Sequence, residues 1–344
     1  MQHPDAPILF CIPIYNDWQT AMMLLNDLEI ALTDSGLTAR VMFVDDGSSE
    51  VPAFCDCAPL TSVREVEVLS LRRNVGHQRA IALGLTFAHV KREFGAVIVM
   101  DGDGEDQPRD AMKLYQHWTR TGRQNVVFAA RARRTESFTF RAFYQAYKFI
   151  HWVLTGRKVE VGNFSLLPPP ALARLVAVSE IWNHYAAAVF KARLPTDQIP
   201  IPRGRRLAGK STMNFTSLVV HGLSAISVFG DQIGVRLLVG NTVVGLFVML
   251  VLGSVAGLRM FTDQVIPGWA TMAGGLMLIL LFVGFLLTLI FVFIILQSRS
   301  GTSFLPLRDY SYYIARSIIL PIKPDVRSTG TETLQEVAVH GGAR

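Results

Sequence analysis

The sequence is short of charged residues. They make up 17% of its 344 residues, against about 25% in a typical soluble domain. The shortage is concentrated between Arg236 and Arg299, where Arg259 and Asp263 are the only charged residues. Uncharged runs of this length are rare in soluble folds, so they exclude a wholly soluble protein.

The two uncharged runs, 237–257 and 264–298, each supply the roughly 20 apolar residues that a bilayer-crossing helix needs. They predict transmembrane helices at about 236–258 and 270–297, with a buried hairpin in a large soluble core as the alternative. The connecting loop carries one basic residue, Arg259, whereas basic residues lie on both outer flanks. The positive-inside rule therefore predicts that both ends of the chain are cytoplasmic.

Cysteine is scarce as well. Cys11, Cys55 and Cys57 are the only cysteines, which excludes a disulfide-stapled mini-protein and predicts reduced thiols in a cytoplasmic domain. The pair Cys55-Asp-Cys57 could bind a metal, but without partner ligands it is more typical of a plain loop. The first residues lack the basic start of a signal peptide, so we expect no secretory leader.

Charge is distributed unevenly along the rest of the chain. Residues 1–122 contain 10 basic and 17 acidic side chains, whereas residues 123–210 contain 15 basic and 4 acidic ones. A basic surface beside membrane helices favours lipid phosphate over nucleic acid as its partner. The alternative is a set of solvated faces.

Apolar runs and helical patterns alternate in the first half of the chain. The predicted strands are 8–14, 41–44, 66–71, 96–100 and 126–129, and the predicted helices are 17–33, 78–94 and 110–121. Continuous apolar strands separated by helices indicate an α/β fold, with a mostly parallel sheet and helices on both faces. In such sheets ligands bind beyond the carboxyl ends of the strands.

Polar clusters follow three of these strands, at 13–17, 45–48 and 101–103. Because the ends of parallel strands meet at one edge, we expect the clusters to form one pocket. Asp101 and Asp103 are hard oxygen ligands of the kind that suits Mg²⁺ or Mn²⁺, which would also bind a diphosphate. An isolated pair of this kind is more often a solvated turn, but the neighbouring clusters favour a metal site.

The ordered set of motifs resembles family 2 glycosyltransferases of the GT-A fold. Within that family the set is most similar to the polyprenyl-phosphate group, which includes dolichyl-phosphate mannose synthases and bactoprenol glucosyltransferases. The motifs are PIYND at 13–17, VDDGSS at 44–49, RNVGHQ at 73–78, DGDGEDQP at 101–108, Arg131 with Arg134, GNFSL at 162–166, RLAGKS at 206–211 and the apolar hairpin. The resemblance covers roughly residues 7–297 and implies the nucleotide-diphospho-sugar transferase fold followed by a two-helix transmembrane hairpin.

The resemblance also implies roles for individual residues. Those that would bind the nucleotide sugar are Pro13, Tyr15, Asp17, Asp45, Asp46 and Asp101. The catalytic residues would be Asp103, Arg131 and Arg134, and the ligands of Mg²⁺ or Mn²⁺ would be Asp101, Asp103 and Glu105. The loop near the lipid phosphate would include Arg206, Lys210 and Ser211. Asn163 stands where many members have aspartate.

The expected function is that of a membrane-bound hexosyltransferase of the cell envelope. It would move one sugar from a UDP- or GDP-linked donor to undecaprenyl or dolichyl phosphate, with inversion, at the inner (plasma) membrane. A flippase and a second copy of the chain are further candidate partners, and nucleic acid is not. The implied domains are a cytoplasmic catalytic domain at 1–212, an amphipathic interface helix at 213–232, the two transmembrane helices at 233–298 and a juxtamembrane segment with a flexible tail at 299–344.

Other functions compete with this one. A polysaccharide synthase would share the first half, but the chain lacks the QxxRW motif and has too few predicted spans for a channel. A non-catalytic membrane adaptor would need only the fold. The segment 204–211 matches the phosphate-loop pattern GxxxxGK[ST], but Pro200 and Pro202 argue against the strand that should precede it.

Three features have local interpretations. The pattern at 214–229 predicts an amphipathic helix that lies either on the membrane or against the core. His77 and His184 are expected to be structural rather than catalytic. The segment 305–322 is expected to return to the membrane interface as an aromatic anchor.

Overall fold

The computed structural model of the chain describes residues 7–50, 52, 59–131, 138–156, 161–202, 204–208, 215–261, 268–300 and 304–321. The chain divides into two compact units. The first consists of Met1–Ser137, Glu160–Val228 and Phe304–Arg344, and the second of Phe138–Val159 and Phe229–Ser303.

One sheet forms the centre of the first unit. Its strands in the described residues are β1 Ile8–Ile14, β2 Ala39–Asp45, β3 Val63–Leu71, β4 Ala96–Val99, β5 Val126–Arg131, β6 Val161–Leu167, β7 Thr196–Ile201 and β8 Ile314–Ile319. Their order across the sheet is β7-β5-β6-β4-β1-β2-β3-β8, and β6 and β8 run antiparallel to their neighbours. The predicted mostly parallel sheet is confirmed. The carboxyl ends of the six parallel strands meet at one side of the sheet, which we call the carboxyl edge.

Helices of the first unit cover both faces of this sheet. The helices described in the first unit are α1 Trp18–Ser35, α2 His77–Lys91, α3 Pro108–Arg120, α5 Pro169–Leu175, α6 Tyr185–Lys191, α7 Phe215–Ser227 and α10 Pro306–Tyr313. The helices described in the second unit are α4 Phe138–Thr155, α8 Gly230–Phe261 and α9 Trp269–Ser300. Side chains of β1 alternate between the faces. Phe10 and Ile12 belong to the core formed with α1 and α3, whereas Leu9 and Cys11 belong to the core formed with α2, α5 and α6.

The chain returns to the sheet after the second unit. β8 pairs antiparallel with β3, and the Ser317 hydroxyl donates to the carboxylate of Glu67, which also pairs with Arg92. Tyr310 and Tyr313 pack against the core. The expectation that 305–322 forms an interface anchor is not supported: α10 packs against the core and β8 completes the sheet, a pairing between distant parts of the chain that no local pattern indicates.

α8 and α9 are long enough and apolar enough to cross a membrane. The candidate spans are Gly230–Leu258 and Thr271–Gln297, with mean hydropathies of 2.2 and 3.3, and 0% and 6% of the most apolar window of each is buried. A core hairpin would bury most of these side chains, so the alternative of a buried hairpin loses support. Asn241 Nδ2 donates to the carbonyl of Gly284 (3.0 Å) and to Thr288 Oγ1, which ties the two helices together.

α4 is joined to the start of α8 within the second unit. Arg236 donates to the carbonyl of Val153 (2.8 Å) near the end of α4. The neighbouring side chains of Phe149, Ile150 and Trp152 are exposed although they are large and apolar. α4 thus presents an apolar surface next to the helix that begins the first candidate span.

Candidate active site

Direct contacts join the carboxyl ends of β1, β2 and β4. The N–H of Asp46 donates to the carbonyl of Ile14 (2.8 Å). On the other side of β1, a Cβ built on Gly102 would lie 3.1 Å from the carbonyl oxygen of Pro13. The polar segments that follow these three strands therefore adjoin one another at the carboxyl edge.

The loop after β1 is fastened to the loop after β2. Asn16 adopts a left-handed conformation (φ 51°), donates its N–H to Ser48 Oγ (2.8 Å) and accepts at Oδ1 from the N–H of Ser49 (2.9 Å). An open cleft of about 390 Å³ lies here, lined by Asn16, Trp18, Ser49, Glu50 and Pro52. Tyr15, which is exposed, and Asp17 are the sequence neighbours of Asn16. The cleft is roomy enough for a nucleoside.

Asp45 and Asp46 are both buried, and they serve different loops. Asp45 Oδ1 accepts from the N–H of Ser48 (3.1 Å). Asp46 accepts from the N–H groups of Val75 (2.7 Å) and Gly76 (2.9 Å). Burial raises the pKa of Asp46 above its ordinary value, and the two hydrogen bonds only partly oppose that effect. Asp46 therefore fixes the loop that leads into α2.

The acidic turn, residues 101–106, follows β4. Asp101 donates its N–H to Asp106 Oδ2 (2.9 Å), and Glu105 donates its N–H to Asp103 Oδ1 (3.0 Å). These hydrogen bonds fix the conformation of a six-residue turn that contains four carboxylate side chains. A small cavity of about 10 Å³ lies behind the turn, lined by Glu105, Asp106, Asp110, Ala129, Phe164, Ile201 and Pro202.

Residues 204–208, which we call the strap, lie on the acidic turn. Gly204 donates its N–H to the carbonyl of Glu105 (2.9 Å), and Leu207 donates its N–H to the carbonyl of Asp103 (3.1 Å). The strap thus runs beside the turn and is fixed to it at two points.

Arg206 brings a positive charge to the same turn. Its Nη2 lies 3.3 Å from Asp103 Oδ2. Gly104 has a φ of 81°, and a Cβ there would lie 2.4 Å from Leu207 Cγ. Glycine at this position therefore allows both the turn and the close approach of the strap.

His77, at the first residue of α2, also contacts the acidic turn. Its Nε2 lies 3.1 Å from Asp101 Oδ1 and 3.1 Å from Asn163 Nδ2. Burial lowers the pKa of His77, but the negative charges of the turn, Asp101 foremost, outweigh it and leave the pKa above its ordinary value. His77 therefore lies beside the predicted metal ligands, and the expectation that it is structural rather than catalytic stays a prediction.

An amide relay sets the orientation of Asn163. The backbone N–H of Tyr185 can only donate, and it donates to Gln78 Oε1 (2.8 Å). Gln78 Nε2 then donates to Asn163 Oδ1 (3.1 Å), which leaves Asn163 Nδ2 facing His77. The sequence motifs contained His77, Gln78 and Asn163, but nothing in them showed that the three meet. The end of β3 was the signal, because its loop reaches the same edge as the other clusters.

The acidic turn has the donor chemistry of a magnesium or manganese site. Carboxylate oxygens are the ligands that these cations prefer, and Mg²⁺ is usually bound by one or two carboxylates together with substrate phosphates. Among the described residues, no group of three histidine, cysteine, aspartate or glutamate side chains stands ready to bind a metal alone. The pair Asp101 and Asp103 has the chemistry of a site in which two carboxylates bind the cation together with substrate phosphates.

The structure describes the other predicted site residues only in part. Arg131 ends β5, opposite Ile201 of β7. Arg134, Lys210 and Ser211 lie outside the described residues, as do Cys55 and Cys57.

The phosphate-loop pattern has a different environment from the expected one. The prolines predict that no central strand precedes it, and the strand that does precede it, β7, contains Pro200 but lies at the end of the sheet order. β7 is an edge strand, where proline is tolerated because one side of the strand needs no ladder hydrogen bonds. The N–H groups of Gly204 and Leu207 bond to the acidic turn, so these two amides do not form a phosphate cradle.

Residues 9–179 match the family model described as glycosyl transferase family 2. The uncharacterized glycosyltransferase YkcC of Bacillus subtilis (strain 168) is 23% identical over 298 residues, which cover 81% of this chain and 84% of YkcC. The uncharacterized glycosyltransferase YkoT of the same organism is 25% identical over 289 residues, which cover 79% and 82%. Among solved structures, glucosyl-3-phosphoglycerate synthase from Mycobacterium tuberculosis, in complex with Mn²⁺, UDP-glucose and phosphoglyceric acid, is 15% identical with a TM-score of 0.45, covering 67% of this chain and 80% of that one.

The expectation of an enzyme is confirmed, and the adaptor alternative is set aside. Residues 9–179 form a glycosyl transferase family 2 domain, and the chain is a glycosyltransferase.

Proposed function

We propose that this glycosyltransferase transfers one sugar from a nucleotide diphosphate sugar to a polyprenyl phosphate in a membrane. The observation that carries the proposal is the junction of the β1, β2 and β4 ends at the carboxyl edge, with the acidic turn among them. Ligands of such sheets bind at that edge. The family assignment supports a nucleotide-sugar donor.

The donor would extend from the open cleft to the acidic turn. Its base and ribose would lie along Pro13, Tyr15 and Asp17, with Asp45 near the base. Asp101 and Asp103 would bind Mg²⁺ or Mn²⁺ and, through it, the diphosphate; Glu105 is a further candidate ligand. The bound cation would neutralise the charge that develops on the departing diphosphate.

The path of the chain supports an acceptor that comes from a membrane. The chain leaves the sheet for α4 after β5 and re-enters it at β6; it leaves for α8 beyond β7 and re-enters it at β8. All four points lie at the carboxyl edge, because β6 and β8 run antiparallel. The connections toward the candidate spans thus start from the edge that carries the acidic turn.

Membrane attachment by two crossings is consistent with these connections. Val228 and Phe304 both belong to the first unit, so any crossings between them must be even in number. Two apolar spans satisfy that condition, and the Lys/Arg bias favours a cytoplasmic first unit. The exposed apolar side chains of α4, and Val220 and Leu223 of α7, would suit the membrane interface.

The chemistry needs positioning more than a strong base. The second pKa of a phosphate monoester is about 6, so the acceptor oxygen is already ionised near neutral pH. That oxygen forms a bond to the anomeric carbon of the sugar as the bond to the nucleoside diphosphate breaks, and the configuration inverts. Arg131 and Arg134 would bind phosphate oxygens by charge-assisted hydrogen bonds, with Lys210 and Ser211 near the acceptor phosphate.

The proposal is tested with the full chain in lipid nanodiscs that contain polyprenyl phosphate. We would supply labelled UDP- and GDP-sugars with Mg²⁺ or Mn²⁺ and measure label in an organic-extractable, mild-acid-labile product. Asp103→Asn should lower kcat/KM by about 100-fold or more, because it removes a charge from the group that binds the cation. Asp34→Asn, an exposed change at the far end of α1, is the matched control and should leave the rate unchanged.

Two results would contradict the proposal. If no donor gives a lipid-linked product, the assignment of polyprenyl phosphate as the acceptor is rejected. A water-soluble polymer formed instead would favour the polysaccharide synthase alternative. An unchanged rate for Asp103→Asn would reject the assignment of the acidic turn.

A further inference from the structure

The strap places a positive side chain against the carboxylate that the proposed function assigns to a cation. Asp103 Oδ1 accepts from the N–H of Glu105 (3.0 Å), and Arg206 Nη2 lies 3.3 Å from Oδ2. Both oxygens of this carboxylate are therefore engaged within the protein. The side chains of Arg206 and Asp103 are 23% and 21% exposed, so water screens their attraction only in part.

Arg206 cannot move far from Asp103 while the strap stays bound to the turn. The backbone bonds of Gly204 to Glu105 (2.9 Å) and of Leu207 to Asp103 (3.1 Å) lie on either side of it in the sequence. Leu207 also packs over Gly104 and against the core of the first unit. The ion pair and the backbone bonds thus form one connected contact.

A divalent cation and a guanidinium group compete for the same carboxylate. Ligation by Asp103 would bring two positive charges close to Arg206, and their repulsion in this partly shielded place is stronger than in bulk water. The arginine must then swing away or carry the strap with it. Because Arg206 lies between the two backbone bonds, its departure weakens both.

We propose that Arg206 is a resident counter-ion of Asp103, and that binding of a divalent cation at the acidic turn displaces it and loosens the strap. The inference rests on the proposed function, because it takes Asp103 as a cation ligand. It gives Arg206 a role on the donor side of the site, in addition to the lipid-side loop expected from the sequence. In the cation-free enzyme the positive charge of Arg206 offsets the negative charge of Asp103, and the strap stays bound to the acidic turn.

The first test measures Mn²⁺ affinity without nucleotide, using the full chain in detergent micelles and the electron paramagnetic resonance signal of unbound Mn²⁺. Arg206→Ala should bind Mn²⁺ about threefold to tenfold more tightly than the parent, as expected when a competing ion pair is removed. Arg206→Lys keeps the charge and should stay within about twofold of the parent. Arg205→Ala removes a neighbouring exposed arginine and should change nothing.

The second test follows amide hydrogen exchange in peptides that cover residues 204–208. In the parent protein, Mn²⁺ should speed up the exchange of the Gly204 and Leu207 amides at least severalfold, because their acceptors lie on the acidic turn. In Arg206→Ala the exchange should be fast before Mn²⁺ is added and should change little afterwards. Slower exchange with Mn²⁺ in the parent, or Mn²⁺ binding to Arg206→Ala that is equal or weaker, would overturn the inference.

Asp103→Asn separates this inference from the proposed function. Mn²⁺ binding that does not depend on Asp103 would reject the metal assignment and the inference with it. Binding that requires Asp103 but does not respond to Arg206→Ala would reject the inference alone, and sugar transfer would remain to be judged by its own assay.

Discussion

α2 and α9 are both apolar helices, but the protein covers only one of them. In α2 every residue from Ala80 to Ala88 is buried between the sheet and its neighbouring helices. In α9 the most apolar window of Thr271–Gln297 is 6% buried, although its span has a mean hydropathy of 3.3. High hydropathy therefore has two different outcomes in this chain.

The difference lies in what contacts the apolar surface of each unit. The apolar surface of α2 is satisfied by protein contacts, whereas contiguous exposed apolar surface on the scale of α8 and α9 requires another apolar phase. If that phase is lipid, exposed positions of the two units must behave differently toward water and charge. Exposed apolar residues occur in both, for example Ile30 in α1 and Leu280 in α9, so the comparison can be tested directly.

The largest expected effect is on thiol reactivity at these two positions. With Cys55 and Cys57 replaced by serine, Ile30→Cys and Leu280→Cys each add one exposed thiol. The thiolate is the reactive form, and a charge in hydrocarbon costs about 3 kcal/mol, so Leu280→Cys in membranes should react about 100-fold more slowly with a charged maleimide. Equal rates at the two positions in membranes would show that α9 is not covered by lipid. As a control, the two variants should be labelled at equal rates after denaturation in detergent.

A smaller effect is expected at Glu29, inside the first unit. Its carboxylate accepts from the N–H groups of Thr61 (2.8 Å), Ser62 (2.9 Å) and Val63 (2.8 Å), and so fixes the start of β3. Burial alone would raise the pKa of Glu29, but these bonds outweigh it and lower the pKa to about 2. Glu29→Gln should lower the free energy of unfolding of the first unit by about 2 kcal/mol at pH 7.

The pH dependence of this loss has a definite sign. Because the pKa of Glu29 is lower in the folded protein than in the unfolded chain, its carboxylate stabilises the fold fully at pH values above the unfolded-state pKa of 4.5. This stabilisation is lost as the pH falls toward the folded-state pKa. The gap between parent and Glu29→Gln should therefore narrow between pH 4.5 and about pH 2. Urea midpoints followed by protease resistance in nanodiscs would measure it. A gap that stays constant in this range would contradict the assignment.

The sequence predicts the part of the fold that local patterns encode. β1 to β5 each contain apolar runs, and the positions predicted for them overlap the observed strands. β8 was missed because Ser317 meets Glu67 across 250 residues, and antiparallel insertion of β6 between β5 and β4 is equally non-local. β7 has no continuous apolar run that would indicate it, because it contains Asp197 and Gln198, and its Pro200 is tolerated only because β7 lies at the edge of the sheet.

The site was predictable to a similar extent. Strand ends predict that the segments of Asp45 and Asp101 lie at one edge of the sheet, since parallel strands share one carboxyl edge. The same rule applies to His77, because it lies in the segment that follows the carboxyl end of β3. No pattern indicated that Arg206 would face Asp103, because the strap reaches the turn only once β7 has paired with β5.

A modest effect is expected from the contact that ties β8 to the sheet. Ser317 donates its hydroxyl to the buried carboxylate of Glu67. Ser317→Ala should lower the free energy of unfolding of the first unit by about 1.5 kcal/mol, the usual value for a hydrogen bond to a charged group. Ser49→Ala, a change at an exposed serine of the same unit, is the matched control. Equal urea midpoints for the two variants would show that the hydroxyl does not stabilise the strand.

The smallest effect is expected from the polar contact inside the second unit. Asn241 Nδ2 donates to the carbonyl of Gly284 (3.0 Å) and to Thr288 Oγ1. Interhelical hydrogen bonds in membranes are worth about 0.6 kcal/mol on average, because the unfolded helices also find partners in the bilayer. Asn241→Leu should therefore destabilise the α8–α9 pair less than Ser317→Ala destabilises the first unit, as measured by resistance to dodecyl sulfate unfolding in bicelles. If Asn241→Leu lowered the stability of the α8–α9 pair by several kcal/mol, these helices would be surrounded by water rather than by lipid.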